Sequence, residues 1–148
     1  MTALSQDRNT PRLQGDMRRG DVAAATLIYA GAIVMRDAAG NLNDGATATD
    51  LVGAGRAEEQ VDNSSGSAGD LTCNYRSGVF RYANSTSTDE ITKADIGAVC
   101  FAVDDQTVAK TDGTGTRSPA GFIDGVDDLG VWVRFDEALL NAWIDGVA

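Results

Sequence analysis

Apolar and polar residues alternate along most of this chain in short runs, without the sustained 3.6-residue period of surface helices. Residues 26–29 and 32–36 come first, rich in Ile, Val, Leu and Tyr, and they end at the turn residues Asp37, Gly40 and Asn41. Residues 51–57 alternate weakly, and residues 63–70, Asn-Ser-Ser-Gly-Ser-Ala-Gly-Asp, form a polar loop with no apolar side to bury. Residues 71–76 and 79–82 flank Ser77-Gly78, a spacing that fits a tight hairpin. Residues 98–103, 107–110, 120–123 and 131–135 follow, each bounded by turn residues. The pattern predicts an all-β fold, a β-barrel or β-sandwich of about eight short antiparallel strands.

Two segments depart from it. Residues 89–95 have room for one helical turn. Residues 136–145 predict a short C-terminal helix, with Asp136 placed to cap it, Leu139, Leu140, Trp143 and Ile144 at helical spacing, and Gly146 at its stop. That stripe packs either on its own barrel or on another subunit. On the preceding strand, Val131, Val133 and Phe135 alternate with Trp132 and Arg134. Exposed, Trp132 and Arg134 are an interface pair; turned inward, Trp132 is core.

Residues 1–20 have no apolar face. They carry Arg8, Arg12, Arg18 and Arg19 against Asp7 and Asp16, with Pro11, Gly15 and Gly20 among them. The segment reads as an extended N-terminal arm, followed by a single β domain over residues 21–148. Stretched out, it reaches on the order of 65 Å, against a radius of gyration of ~15 Å for the body. The alternative is a frayed terminus.

Charge gives the arm a role. The 148 residues hold 12 Lys+Arg against 22 Asp+Glu, a net charge of −10; the arm carries +2, leaving −12 on the rest. Opposite signs draw the arm of one copy onto the body of another. The acid excess argues against nucleic-acid and anionic-membrane partners, and no apolar run approaches the roughly 20 residues of a membrane span. A charged N-terminus with no apolar stretch behind it does not read as a secretory leader, so the protein is expected in a cytoplasm. There Cys73 and Cys100, both in apolar surroundings, are expected as reduced core thiols.

Candidate chemistry is sparse. Without His, Ser-His-Asp and Cys-His catalysis are excluded, and two Cys cannot complete a zinc site of the usual ligand sets. Asp104-Asp105 and Asp127-Asp128 are sequence neighbours whose side chains diverge on a strand, so they are expected in turns. Asp112-Gly113-Thr114-Gly115-Thr116 is close to an aspartyl-phosphate signature but lacks its Lys. Gly53-Ala54-Gly55 and Gly113-Thr114-Gly115 lack the third Gly of a dinucleotide fingerprint, and no stretch matches a twelve-residue calcium loop. No catalytic residue, cofactor or metal is expected.

Residues 5–12, Ser-Gln-Asp-Arg-Asn-Thr-Pro-Arg, and 28–34, Ile-Tyr-Ala-Gly-Ala-Ile-Val, are similar to the start of small tailed-bacteriophage head proteins, the capsid cement or decoration proteins. The resemblance continues in order through Ile91-Thr92-Lys93-Ala94-Asp95-Ile96-Gly97, Val103-Asp104-Asp105-Gln106-Thr107-Val108, Ser118-Pro119-Ala120-Gly121 and Gly130-Val131-Trp132-Val133, and is thin over residues 43–70. It implies a non-enzymatic protein, made in the host bacterial cytoplasm, that binds the outer surface of an icosahedral capsid as a homo-oligomer, with a trimer favoured. The partner is then the major capsid protein. The expected contacts are Arg8, Arg12, Arg18 and Arg19 as charged anchors, Pro11 and Leu13 as extended-chain contacts, and Trp132 with Arg134 on the body. Other expectations are a tail-tube, head-completion or spike-base protein, or a carbohydrate-binding module using Trp132, Trp143 and Tyr82 as its platform.

Overall fold

β-Branched residues favour strands, and Gly, Asn and Asp every few positions keep them short. The computed structural model, which describes residues 1–146, contains twelve strands. The first half holds β1 (Met17–Asp21), β2 (Thr26–Ile28), β3 (Ile33–Arg36), β4 (Leu42–Asp44), β5 (Val52–Ala57), β6 (Val61–Asn63) and β7 (Thr72–Arg76). The second holds β8 (Gly78–Asn84), β9 (Val99–Ala102), β10 (Thr107–Ala109), β11 (Pro119–Asp127) and β12 (Gly130–Phe135), followed by the helix α1 (Glu137–Ile144).

In the first half, β1-β7-β5-β3-β4 form an antiparallel sheet, and β2 pairs with β6 beside it. The sheet curls back on itself: just past β1, Val22 bridges Leu42 of β4, and the Ala23 amide donates to the Leu42 carbonyl at 2.9 Å. Inside lie Val22, Ile28, Val34, Leu42, Cys73 and Tyr75. The second half closes as a barrel in the order β10-β8-β12-β11-β9, around Tyr82, Ile91, Cys100, Val108, Val131 and Phe135.

The two cores interlock through β3. Alternate side chains on a strand point to opposite faces, so Val34 enters the first core while Ile33 and Met35 enter the second. Across the same seam, Gly53 of β5 lies against the backbone of Ala120 in β11, so close that an added Cβ would sit 1.7 Å from the Ala120 carbonyl oxygen. A polar clasp adds to this packing. Arg36, at the end of β3, donates to Glu137 of α1 at 2.6 Å and to the Tyr75 hydroxyl at 2.6 Å.

The all-β class, the exposed N-terminal segment and the helix agree with the sequence pattern. Asp136 caps α1 by accepting the Leu139 amide at 3.1 Å. Several details differ. There are twelve strands rather than about eight: β1, β4 and β6 are additional, and β4 and β6 have three residues each, too few to show alternation. β1 is Met-Arg-Arg-Gly-Asp, polar by composition and held by its register with β7. The free segment therefore ends at residue 16, four residues before the expected boundary. β10 runs parallel to β8, so the barrel is not wholly antiparallel.

Ser77-Gly78 is not a hairpin. β7 pairs with β1 and β5, whereas β8 pairs with β12 and β10, and Gly78, at φ 131, carries the chain from one half to the other. The turn expected over residues 89–95 is split into two 3₁₀ turns, Ser87–Asp89 and Lys93–Asp95, on either side of buried Ile91. Cys73 and Cys100 are free thiols in different cores, and burial pushes them up to about 11 and about 12.

Candidate functional site

The candidate contact residues fall on two surfaces. Arg8, Pro11, Arg12 and Leu13 lie in the segment before β1, where every residue from 1 to 16 is exposed. The body first grips this segment at Asp16, whose carbonyl accepts the Ser77 amide at 3.1 Å and whose carboxylate pairs with Arg76 at 2.5 Å. Arg18 and Arg19 are not in the free segment. They sit in β1 on opposite faces, Arg18 half-buried with its guanidinium on the Gly15 and Met17 carbonyls, Arg19 exposed.

Electrostatically the two parts of the chain differ. After residue 20 there are eight Lys and Arg, and seven have a carboxylate partner: Arg36, Arg56, Arg76, Arg81, Lys110, Arg117 and Arg134. Among the described residues only Lys93 does not. Arg8, Arg12, Arg18 and Arg19 likewise have no carboxylate partner among the described residues. The positive charge still open to a partner is thus concentrated ahead of an acidic body, where it keeps its full attraction for an outside carboxylate.

The second surface is the outer face of β8 and β12. Register places Trp132 opposite Arg81 and Arg134 opposite Val79. The Arg81 guanidinium lies 5.4 Å from the Trp132 ring centre, and the Trp132 indole N–H donates to Asp127 at 2.8 Å. Trp132 is therefore on the exposed face, 38% accessible, beside Val79 at 40% and Leu129 at 72%. Arg134 reaches Asp136 at 3.4 Å. Trp and Arg with apolar neighbours have the composition of an interface core. Arg81 and Val79 escape a reading of the sequence because they join Trp132 only through pairing between strands about 50 residues apart, whereas Leu129 is its neighbour in the β11–β12 turn. Their one linear signal is the alternation of Val79 and Arg81 with Phe80 and Tyr82.

Asp127 is held below the ordinary carboxylate range first by the Trp132 indole N–H, then by the Leu129 amide. A depressed folded-state value makes the charged form stabilising above the unfolded value near pH 4, with that contribution lost as the pH falls through the folded value. Asp127→Asn is therefore expected to lower Tm at pH 7, and the gap should shrink progressively as the pH falls below about 4. Thermal unfolding of both proteins across that range is the check, and a gap that persists at the acid end would show that the charge of Asp127 plays no part.

The remaining candidates resolve as follows. Tyr82 is buried and donates its hydroxyl to the Gly31 carbonyl at 2.8 Å, so it cannot serve in a sugar-stacking platform. On α1 only Leu140 is buried; Leu139, Trp143 and Ile144 are exposed, with Trp143 edge-on to Phe101 at 6.2 Å. Asp104-Asp105 and Asp127-Asp128 lie outside regular strand pairing or at the tip of the β11–β12 hairpin, and each leads into a turn: Asp104 accepts the Gln106 amide and Asp127 the Leu129 amide. Asp112 to Thr116 is a loop closed by the Thr116 and Arg117 amides on the Asp112 carbonyl. No group of three or more potential metal-ligating side chains occurs among the described residues, and no helix there is long and apolar enough to cross a membrane.

No family model, curated protein or solved structure matches the chain. What the residues define is an all-β protein with an exposed cationic segment and an aromatic and arginine-bearing sheet face.

Proposed function

We propose that the chain is a structural virion protein that binds the outer surface of an icosahedral phage capsid and stabilises it, as a cement or decoration protein. The observation that carries this reading is the concentration of unpartnered arginines near the N-terminus, Arg8 and Arg12 in the exposed extended segment and Arg18 and Arg19 in the β1 that follows it, while the acidic body pairs seven of its eight cations. Such a segment is suited to lying along acidic surfaces of neighbouring subunits, and an acidic exterior keeps decorated particles apart in solution. The Trp132 face supplies a second contact. The major capsid protein and further copies of the chain are the partners, a trimer being the favoured oligomer, and the activity is binding rather than catalysis. Many weak contacts repeated over one lattice add up to strong retention.

The test is to mix the purified protein with empty expanded heads of the phage that encodes it and image them by electron microscopy. Regular added density on the outer surface is the expected result. Bare heads, together with self-assembled stacked rings of the protein alone, would overturn the reading in favour of a tail-tube component.

A further inference from the structure

Beside α1 lies a cleft of about 430 Å³, walled by Leu51, Val52, Pro119 and Ile144. Two guanidiniums and three carboxylates also line it, and most of this charge is already committed: Arg36 pairs with Glu137, and Arg117 with Asp89. Asp37 and Asp50 are left without a cation. The cleft is thus apolar with spare negative charge, and its ideal occupant is an extended chain bearing an apolar side chain next to a cation.

One segment of this protein has that chemistry. Pro11-Arg12-Leu13 is exposed, Leu13 is 75% accessible, and Arg12 has no carboxylate partner. Proline at its start favours the extended conformation. The segment leaves its own cleft unfilled: Asp16 is held by Ser77 and Arg76, and all residues before it are exposed. That leaves the same cleft on a second copy open to it.

We propose that residues 11–13 of one copy seat in this cleft on a second copy, with Leu13 against Val52 and Ile144 and the Arg12 guanidinium on Asp50. The proposal deepens the reading of the N-terminal segment as a contact arm and rests on it, but it does not need the capsid. Leu13 is three residues from the point where Asp16 is held, roughly 10 Å of chain, so the two bodies must stand side by side. The contact joins two different patches, so it runs head to tail and closes into a ring when the rotation between copies allows.

Disulfide trapping tests it in the full-length protein without heads. Native Cys73 and Cys100 are buried with raised pKa values, so cysteines placed on the surface are the reactive ones. A Leu13→Cys chain is mixed with a size-tagged Ile144→Cys chain under mild oxidation, and a Thr2→Cys chain replaces the first as a control for random collision. The expected result is a mixed dimer of the two chains, several-fold above the control and reduced several-fold by Asp50→Lys in the acceptor. Linkage no greater than the control would overturn the proposal, and so would a double variant that links only within one chain. Linkage in solution together with bare heads would count against the capsid reading alone; decorated heads without linkage would count against this cleft alone.

Discussion

Gly53→Ala is expected to lower the free energy of unfolding by at least about 3 kcal/mol, a large fraction of the roughly 5–15 kcal/mol available to a domain. The added methyl carbon would meet the Ala120 carbonyl oxygen at 1.7 Å, its carbon at 2.5 Å and Cα at 2.8 Å. All three are backbone atoms, so no rotamer change relieves the overlap. Neither strand is free to shift alone. Gly53 is registered with Met35 in β3, and Ala120 lies between residues registered with Phe101 and Cys100 of β9. The seam must part, and Ile33 and Met35 are drawn out of the barrel core with it. Urea unfolding measures the loss. Gly125→Ala is the comparison: its new Cβ meets the Trp132 side chain at 3.7 Å, an ordinary contact, and the change should stay within about 1 kcal/mol. Equal losses at the two positions would show that contact across the seam does not set the stability.

Removing residues 1–15 is expected to abolish capsid binding at protein concentrations that saturate heads with the full chain, a loss of about 100-fold or more. The deletion takes away Arg8, Pro11, Arg12 and Leu13 but leaves Asp16 on Ser77 and Arg76. Because none of the removed residues is buried, Tm should move by no more than about 2 °C. A longer deletion, of residues 1–19, is expected to behave differently. It strips Met17, Arg18 and Arg19 from a five-residue strand and exposes the edge of β7, so Tm falls along with binding. Co-sedimentation with heads and thermal unfolding separate the two effects. A shorter protein that still decorates heads would end the case for the arm.

The sequence discloses the fold where side-chain periodicity is strong and local. Val131, Val133 and Phe135 against Trp132 and Arg134 place β12 and its two faces, and Asp136 with Leu140 places α1. It fails where structure is decided by pairing at a distance. Residues 71–76 and 79–82 are both readable as strands, but nothing local says that one belongs to the curled sheet and the other to the barrel. Met17 to Asp21 has no apolar rhythm; β7 makes it a strand by offering it a ladder. The candidate site divides the same way. The excess of arginine at the N-terminus is visible in composition, whereas its lack of carboxylate partners becomes apparent only once seven cations of the body are seen to be paired. Trp132 is visible as a residue, but its setting beside Arg81, Val79 and Asp127 is a product of register.

The order of the strands along the chain bears on how the protein is made. Every strand of the curled sheet precedes every strand of the closed barrel, so a ribosome delivers the first half complete while Ile33 and Met35 still have no core to enter. Until β8 to β12 emerge, these two side chains are exposed apolar surface of the kind that chaperones bind and that drives nascent chains together. The residues that lock the finished halves are thus the vulnerable spot of the unfinished one, and slow translation of the second half lengthens that exposure.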